Sequence, residues 1–497
     1  MSRFRGLLAQ GRNASDLRRR PAGPFGSQLR SAGAAAGRGS LGAIMHVIEI
    51  DFTDPVETAA ALSRLPFLTF LDSAMPEDAL GRYSFVAADP FDRIEGKAGD
   101  ASWAARLKTA LAKFHTPLAP GLPPFQGGAA GLFSYDLGRS LERLPEPAAD
   151  DLAFPDLSLG LYDVVVAFDL IQRRAWIIST GLPETEPAAR RERAIARAQE
   201  FEAHIAKGAP LSSGKISLAG WTSNFTRASY ERAVAEVIER ILAGDIFQAN
   251  LSQRFEAPTP PDFDHFGFYR RLRRVNPAPF AAYLDHPGFK IASASPERFL
   301  RVDGEFVETR PIKGTRPRFA DPLVDMLQGK ALSESRKDRA ENVMIVDLLR
   351  NDLSKVCAPG SVKAPQLCAL ESYATVHHLV STVIGRLAEG FGPVDLLAAS
   401  FPGGSITGAP KLRAMEIITE LEGHARGPYC GAIGYIGFNG MMDLNIVIRT
   451  ASFRAGVCVV QAGGGIVTAS DPASEYVETL DKARRIFEAF GASEFAQ

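Results

Sequence analysis

Apolar residues recur at every second position where the chain first shows a regular pattern. Ile48, Ile50 and Phe52 alternate with other residues within 46–52, as is typical of a half-buried strand. Residues 67–73 and 82–87 predict two further strands, separated by a turn-rich loop. The chain is therefore expected to enter a sheet soon after residue 45.

Helical and strand patterns then alternate up to residue 206. Residues 101–114 and 188–206 predict helices, and 162–170 with 174–179 predict a hairpin. The segment 127–135 predicts a glycine-punctuated strand that another backbone approaches closely. This alternation indicates an α/β fold.

A helix followed directly by a strand opens the second half of the chain. Apolar residues at helical spacing within 230–242 predict the helix, and Gly244 follows at the expected C-terminal position. In the strand predicted over 246–255, Gln248, Asn250 and Ser252 share one face. A polar face here predicts a strand that lines a cavity.

Composition shifts predict three segments. Residues 1–44 contain eight arginines and one acidic residue, Asp16, and we expect a disordered or mis-started extension because such a segment has little to bury. A transit peptide is the alternative. The stretch 208–223, rich in Gly, Ser and Pro, predicts a linker with a boundary near residue 215. The two larger segments are then 46–215 and 224–490.

The overall composition is that of an average soluble protein. The 497 residues are 46% hydrophobic and 23% charged, with a formal net charge of -1, so no general attraction to nucleic acid or anionic membrane is expected. Four scattered cysteines suit a reducing compartment. No apolar run approaches the ~18 residues of a membrane-spanning helix. We therefore expect a cytoplasmic protein.

A lysine in a constrained setting is the first candidate for chemistry. Lys313 stands between Pro311 and Gly314, which stiffen the chain and permit close approach, respectively. An amine must lose its proton before it attacks carbon, so a reactive lysine needs desolvation or neighbouring cations. Arg310, Arg316 and Arg318 are expected to supply those cations. The alternative is a solvated basic loop.

Two carboxylate pairs at helical spacing predict a metal site. Asp338 and Glu341 are three residues apart at the start of a predicted helix, whose buried stripe is expected to contain Val343, Val346, Leu349 and Leu353. Glu475 and Glu478 have the same spacing in a helix predicted over 474–490. Residues at i and i+3 share a helix face, and two such pairs facing each other would offer the oxygen ligands that Mg²⁺ prefers. Each pair taken alone is more often an ordinary solvated face, and only the two pairs together with the other motifs favour the metal site.

Two glycine-rich segments are candidate anion sites. Residues 401–411 lead into a predicted helix, and 462–466 are expected to follow a strand; both could present backbone N–H groups to a carboxylate. Arg449, at the end of a strand predicted over 443–448, is a candidate for bidentate carboxylate recognition. His378 lies among apolar neighbours, where a hydrogen-bonded core histidine is the frequent outcome. Glu297 is expected to reach the same pocket as Lys313.

These motifs together resemble the chorismate-utilising enzymes, a family that includes anthranilate, aminodeoxychorismate, isochorismate and salicylate synthases. The resemblance covers nearly all of 46–490 and rests on GDIFQ, SPE, PIKGT, GSITGAPK and GAIGY, at 244–248, 295–297, 311–315, 404–411 and 431–435. It implies a large α/β sandwich of two sheets with the active site between them. It also implies an anthranilate-synthase-like subdomain over 46–215, a chorismate-binding catalytic domain over 224–490, and Mg²⁺ as cofactor.

The resemblance also assigns roles to single residues. Glu297 corresponds to the acid that helps the C4 hydroxyl of chorismate to leave, and His378 to the active-site histidine. The implied Mg²⁺ shell is Glu341, Glu478, Glu475 and Asp338, with Asp338 acting through water because it is shorter than the usual glutamate. The implied substrate-binding set is Gln248, Thr315, Ser405, Tyr429, Arg449, Gly463, Gly464, Gly465 and Lys482.

Two positions distinguish reactions within the family. Isochorismate and salicylate synthases have a lysine base where this chain has Gln248, and anthranilate synthases have alanine where this chain has Lys313. The combination resembles the members that aminate chorismate at C4 through a covalent lysine intermediate, an aminotransfer that serves para-aminobenzoate and folate synthesis. Ammonia would come from a separate glutamine amidotransferase subunit. The alternatives are an anthranilate synthase and a non-catalytic binding subunit.

A second resemblance concerns a possible tryptophan pocket. Ser73, with Asn276, Pro277 and Phe280, matches segments that bind tryptophan in anthranilate synthase and some relatives. Asp72 stands where the usual motif has glutamate. Tryptophan is therefore a candidate ligand.

Overall fold

The computed structural model describes residues 45–491, except for 77–79, 97–98, 212–213 and 374–375. The predicted extension over 1–44 lies outside the described residues. The strands are β1 (His46–Ile50), β2 (Leu68–Asp72), β3 (Tyr83–Ala87), β4 (Asp92–Gly96), β5 (Gly128–Phe133), β6 (Leu157–Tyr162), β7 (Val164–Asp169), β8 (Arg174–Ser179), β9 (Thr222–Ser223), β10 (Gln248–Pro258), β11 (Phe280–His286), β12 (Phe289–Ser295), β13 (Arg298–Asp303), β14 (Phe306–Thr309), β15 (Ile312–Pro317), β16 (Lys363–Ser372), β17 (Val376–Arg386), β18 (Gly408–Ala409), β19 (Ala432–Gly437), β20 (Met442–Asn445), β21 (Thr450–Arg454) and β22 (Val457–Ile466).

Several of the α-helices begin at local capping signals. Asp54, Ser335 and Asp471 each accept a backbone N–H at the start of a helix, which satisfies one of the free donors there. The helices are α1 (Pro55–Leu62), α2 (Trp103–Lys113), α3 (Pro187–Lys207), α4 (Arg227–Leu242), α5 (His265–Val275), α6 (Pro322–Glu334), α7 (Arg336–Ser354), α8 (Pro393–Ser400), α9 (Lys411–Glu422) and α10 (Pro472–Ala489).

The strands of the described residues form two antiparallel sheets, one of 12 strands and one of 10. The larger sheet runs β1-β8-β7-β3-β2-β11-β12-β21-β22-β10-β18, with β9 beside β10. The smaller sheet runs β15-β17-β14-β13-β20-β19-β5-β6-β4, with β16 beside β17. The order places β10 and β22 next to each other near one end of the larger sheet.

The two sheets pack face to face. Phe85 of the larger sheet meets Tyr435 of the smaller sheet edge to face, with ring centroids 5.6 Å apart. Leu132 and Ile433 of the smaller sheet share a core cluster with Leu284 of the larger one. Helices cover the outer faces, as the shared cores of α5 and α10 with the larger sheet indicate. The predicted two-sheet α/β sandwich is confirmed.

Most of the predicted elements are confirmed, including the strand with closely approaching backbone. A Cβ at Gly128 would lie 2.4 Å from the carbonyl oxygen of Ile436, and one at Gly131 would lie 2.2 Å from that of Ser158. Only glycine allows strands to pass so closely. The four cysteines are free and buried. Among the helices of the described residues, none is long and apolar enough to cross a membrane.

Three local predictions are wrong. Val343 is 48% exposed, because the buried face of α7 passes through Ile345, Val346 and Leu349 instead. The strand predicted over 443–448 ends at Asn445. The glycines at 463–465 lie inside β22, paired with β10, and do not form a loop after a strand.

The predicted boundary near residue 215 stays a prediction. Strands from both sides of this position contribute to each sheet: β2 pairs with β11, and β5 pairs with β19. The described residues on both sides of this position form one compact unit.

Candidate active site

A lysine, a carboxylate and an amide meet where β15, α7 and β10 approach one another. Lys313 Nζ lies 2.7 Å from Glu341 Oε1, and each side chain is only 10% exposed. Gln248 Nε2 donates to the same carboxylate oxygen at 2.6 Å. The structure thus brings together three predicted site residues that lie 93 or fewer positions apart in sequence.

The absence of a side chain at Gly465 allows the Gln248 amide and the Glu341 carboxylate to lie next to each other. A Cβ at this position would lie 2.0 Å from Gln248 Nε2 and 2.5 Å from Glu341 Oε1. Both distances are shorter than any non-bonded contact, so a side chain here would displace the amide or the carboxylate. The predicted glycine cluster therefore contributes space as well as backbone.

The expectation that three arginines surround the lysine is wrong. Arg310 pairs with Glu371 at 2.5 Å, Arg316 with Asp338 at 3.5 Å, and Arg318 with Asp325 at 2.8 Å. Each guanidinium is thus engaged by a carboxylate of its own. The charge in contact with Lys313 is that of Glu341, an anion.

The second carboxylate pair lies beside the same glycines. A Cβ at Gly464 would be 3.2 Å from Glu475 Oε2 and 3.2 Å from Glu478 Oε1. Lys337 Nζ contacts Glu475 at 3.3 Å, and Lys482 Nζ contacts Glu478 at 2.6 Å. The α10 pair therefore converges on one point, as its helical spacing predicts.

The two carboxylates of α10 differ in their protonation behaviour. Burial raises the pKa of Glu475, and the negative charge of Glu478 adds to this effect. Burial also acts on Glu478, but the positive charges of Lys482, Lys337 and Lys313 outweigh it and lower the pKa of that group. Glu478 therefore keeps its negative charge to a lower pH than Glu475 does.

The carboxylates suit the metal that the sequence predicts. Over the described ranges, no three His, Cys, Asp or Glu side chains stand close enough together to form a ready metal site. Glu341, Glu475 and Glu478 are instead each held by a lysine. Carboxylate oxygens are the donors that Mg²⁺ prefers, so the donor set fits Mg²⁺. The metal, and the water-mediated role of Asp338, stay predictions.

Glu297 is buried next to Lys313. Burial raises its pKa to about 7, although a hydrogen bond from Ser405 and the charges of Lys313 and Lys482 act in the opposite direction. A carboxyl group with this pKa holds a proton on a large fraction of molecules at neutral pH. Glu297 can therefore act as an acid in this site.

His378 lies on β17 opposite the lysine strand. Its Nδ1 is 2.9 Å from Thr315 Oγ1. Burial and the positive charge of Arg449 lower the pKa of His378 to about 4, so the imidazole is neutral at neutral pH. A neutral ring can both donate and accept a hydrogen bond, which suits an orienting role for the ring.

The residues predicted to hold carboxylates lie around α10 and the start of β21. Arg449 has a positive φ of 55° and donates to the carbonyl oxygen of Lys482. Lys482 Nζ donates to the carbonyl oxygen of Gly463 at 2.7 Å. Tyr429 is buried, which raises the pKa of its hydroxyl well above 10. Burial lowers the pKa of the Arg449 guanidinium, and the Tyr429 hydroxyl acts in the opposite direction.

In the glycine-rich segment over 401–411, Ser405 is the residue that reaches the site, through its hydrogen bond to Glu297. Lys411 points elsewhere, to Asp352 Oδ2 and the carbonyl oxygen of Ser400, each at 2.7 Å. Anion binding by this segment stays a prediction.

Sequence reasoning missed the residues that hold the lysine strand in place. Asn342 is fully buried and donates to the carbonyl oxygen of Leu379 at 3.2 Å, and Ser381 donates to Asn342 Oδ1. Leu379 is paired with Lys313 across β15 and β17. The sequence signal available for Asn342 was its polar side chain next to Glu341, on a helix with a buried apolar stripe. Lys337, the partner of Glu475, was also missed.

The residues of the possible tryptophan pocket lie where β2 meets the start of β11. Ser73 Oγ donates to the carbonyl oxygens of Tyr83 and Pro279 at 2.7 and 3.2 Å. Asp72 accepts from Tyr269 at 2.8 Å and Arg273 at 2.7 Å, and so attaches α5 to β2. Asn276 ends α5, Pro277 follows it, and the Phe280 ring lies under Arg298. Tryptophan binding stays a prediction.

A protein-family model and several known proteins match this chain in sequence. The model of a family described as "chorismate binding enzyme" matches residues 70–488. Aminodeoxychorismate synthase component 1 of Salmonella typhimurium is 42% identical over 442 residues, 86% of this chain and 94% of that protein. Anthranilate synthase component 1 of Streptomyces coelicolor is 40% identical, over 90% of this chain and 88% of that protein.

A solved structure supports the same assignment. Anthranilate synthase component I from Streptococcus pneumoniae superposes with a TM-score of 0.72 at 31% identity, covering 83% of this chain and 94% of that one. The family model, which matches residues 70–488, includes every site residue described above. By sequence and by fold, the chain belongs to the family of chorismate-binding enzymes.

Proposed function

We propose that this chain is the chorismate-aminating component of an aminodeoxychorismate synthase, which converts chorismate and ammonia to 4-amino-4-deoxychorismate and water. Overall identity does not separate this activity from anthranilate synthesis, since relatives of both names are 40 to 42% identical to the chain. The observation that carries the proposal is the buried amine of Lys313, held 2.7 Å from Glu341. A buried amine in the site can attack the substrate once it has lost its proton.

The first half of the reaction uses Lys313, Glu341 and Glu297. Lys313 Nζ gives its proton to Glu341 Oε1 and forms a bond to C2 of chorismate. The two ring double bonds shift, and the C4–O bond breaks with its electron pair. Glu297 protonates the departing hydroxyl, which leaves as water. The result is a ring joined to the enzyme through C2.

The second half of the reaction releases Lys313 from the ring. Ammonia forms a bond to C4, the double bonds shift back, and the C2–N bond to Lys313 breaks with its electron pair. The surplus proton of the new amine leaves to solvent or to a neighbouring base. The enolpyruvyl group at C3 is not touched, so the product retains it.

The remaining site residues are proposed to bind and orient the substrate. Arg449, Lys482 and the backbone of β22 are proposed to hold the substrate carboxylates. Neutral His378, hydrogen-bonded to Thr315, is proposed to orient the ring. Bound by Glu341, Glu475 and Glu478, Mg²⁺ would neutralise a substrate carboxylate and the charge that develops on the ring.

The partner and pathway follow from the relatives. A protein named component 1 implies a second component, and we propose a glutamine amidotransferase that releases ammonia. The product would feed para-aminobenzoate and folate synthesis. We also propose a cytoplasmic location, because the four free cysteines suit a reducing compartment.

Product identity tests the proposed function. The purified chain with chorismate, Mg²⁺ and ammonium chloride should form a product whose mass retains the enolpyruvyl group. Fluorescent anthranilate with release of pyruvate would instead identify an anthranilate synthase. No turnover of chorismate would indicate a binding subunit.

The raised pKa of Glu297 predicts the pH dependence of the first half-reaction. Glu297 must be protonated to donate, and its pKa is about 7. The rate of C4–O cleavage, measured without ammonia in a single turnover, should therefore fall as pH rises from about 7 to 9. Glu297→Gln carries no proton to lose and should be slow at every pH, without this decline. A wild-type rate that rises steadily over the same range would contradict the assignment of Glu297 as the acid.

A further inference from the structure

A buried ion pair adjoins the site at the end of α9. Arg426 donates to both carboxylate oxygens of Glu422, at 2.9 and 2.7 Å, and the two side chains are only 2% and 6% exposed. The backbone N–H and the hydroxyl of Ser252 also donate to Glu422, each at 2.8 Å. The carboxylate is thereby attached to β10, and its two bonds to Arg426 hold the guanidinium in one orientation.

The guanidinium also holds the segment that follows Ser405. Its Nη1 donates to the carbonyl oxygen of Ile406 at 3.1 Å, and its Nη2 to that of Asn250 at 2.6 Å. The N–H of Asn250 donates in turn to the carbonyl oxygen of Thr407 at 2.8 Å. Arg426 and β10 therefore fix the two residues that come directly after Ser405.

The segment held in this way contains a hydrogen-bond partner of the acid. Ser405 is the middle residue of the 3-10 turn Gly404–Ile406, and its hydroxyl forms a hydrogen bond with Glu297. The N–H of Ile406 donates to the carbonyl oxygen of Gly403 at 3.3 Å. Because the turn has only three residues, a shift of Ile406 moves Ser405 as well.

Several groups surround Glu297 besides the hydroxyl of Ser405. Those that act on it by charge or by a hydrogen bond lie on β15, on α10 and after α9: Lys313, the N–H of Ile312, Lys482 and Cys430. The hydrogen bond from Ser405 stabilises the charged form of Glu297. Loss of that bond therefore favours the protonated form.

We propose that Arg426 is a positioning residue for the acid of the reaction, because it fixes the turn from which Ser405 reaches Glu297. This inference rests on the proposed function, which makes Glu297 the acid, but the link between Arg426 and Glu297 can be measured without turnover. It adds a residue that no motif singled out.

The titration of Glu297 in Arg426→Lys tests this role. A lysine keeps the positive charge beside Glu422, but an ammonium group cannot span the carboxylate and two carbonyl oxygens as the planar guanidinium does. The Ser405 turn should loosen, and the titration midpoint of Glu297 should move up by about one pH unit from about 7. Infrared spectra follow the protonated carboxyl band of Glu297, which is identified by its absence from Glu297→Gln.

The first half-reaction should change in the same variant. In Arg426→Lys the rate of C4–O cleavage at about pH 6 should fall about tenfold, because the acid is less well placed. The decline of this rate with rising pH should begin about one pH unit higher than in the wild type.

A double variant tests whether Arg426 acts through Ser405. Ser405→Ala removes the hydroxyl itself and should move the titration of Glu297 by a similar amount. Arg426→Lys combined with Ser405→Ala should move it no further, because both substitutions remove the same hydrogen bond. Additive shifts would contradict the proposed route.

A buried arginine at the other end of the larger sheet supplies the control. Arg197 pairs with Asp163 and Asp89 at 3.3 and 2.9 Å, and it lies on α3, which packs on β1 and β8, far from β10 in the strand order. Arg197→Lys should therefore lower the melting temperature without moving the titration of Glu297.

Two outcomes would overturn the positioning role alone: an unchanged Glu297 titration in Arg426→Lys, or an equal shift in Arg197→Lys. If Arg426→Lys does not fold, Glu422→Gln weakens the hold on the guanidinium at constant shape and should give a smaller shift in the same direction; no shift there would overturn the role equally. A wild-type chain that cleaves no C4–O bond would overturn the proposed function, whereas the infrared titration would still test the link.

Discussion

Glu341→Gln and Glu478→Gln are each expected to lower turnover about a thousandfold, which corresponds to about 4 kcal/mol of lost transition-state stabilisation. Each substitution removes one of the anionic oxygens proposed to bind Mg²⁺ and leaves a side chain of the same shape. The lost stabilisation is that of the substrate carboxylate and of the charge that develops on the ring. Steady-state assays over a range of Mg²⁺ concentrations should show the loss together with a weaker dependence on the metal.

The matched control for these variants is Glu334→Gln on α6. Glu334 is 66% exposed and pairs only loosely with Lys330, at 3.8 Å, so its replacement should change neither turnover nor melting temperature. Circular dichroism should show that all three variants remain folded. Normal turnover and normal Mg²⁺ dependence in both site variants would contradict the metal assignment.

Lys313→Ala is expected to slow formation of aminodeoxychorismate roughly a hundredfold and to change the product. Without the amine the covalent route to C4 is lost, while Glu297 and the carboxylate-binding groups still activate C2 toward ammonia. Part of the product should therefore come from direct amination at C2, the first step of anthranilate chemistry. Liquid chromatography with mass detection separates the two aminated products.

Lys313→Arg distinguishes a nucleophile from a positive charge. A guanidinium keeps its charge beside Glu341 but offers no free lone pair, so this variant should be at least as slow as Lys313→Ala. Lys330→Ala, at an exposed position of α6, is the control and should behave as wild type. Wild-type rates in Lys313→Arg would mean that the lysine acts only through its charge.

Periodicity and motif order were sufficient to predict the sandwich and most of its elements. Helical spacing brought Glu475 and Glu478 to one point, as expected, and strand alternation placed Gln248 and Asn250 on one face. These features are local, because the backbone geometry of one element determines them. They could therefore be derived without knowing what packs against that element.

The failed predictions concern contacts between elements. Arg310 was expected near Lys313, but it pairs with Glu371 on β16, a strand whose position depends on the whole smaller sheet. Val343 fits the apolar stripe of α7, yet the helix turns that side outward. The glycines of β22 form a strand because β10 supplies partners for their backbone. Composition alone suggests a loop, since glycine is depleted in strands.

The most direct test of the account is the intact mass of the wild-type chain after mixing with chorismate and Mg²⁺ in the absence of ammonia. The covalent route predicts an increase equal to chorismate minus water, located by peptide mapping on the peptide that contains Lys313 and absent from Lys313→Ala. Adding ammonium chloride should discharge the adduct as aminodeoxychorismate. An unmodified wild-type chain, together with undiminished aminodeoxychorismate formation by Lys313→Ala, would contradict the covalent role of the lysine.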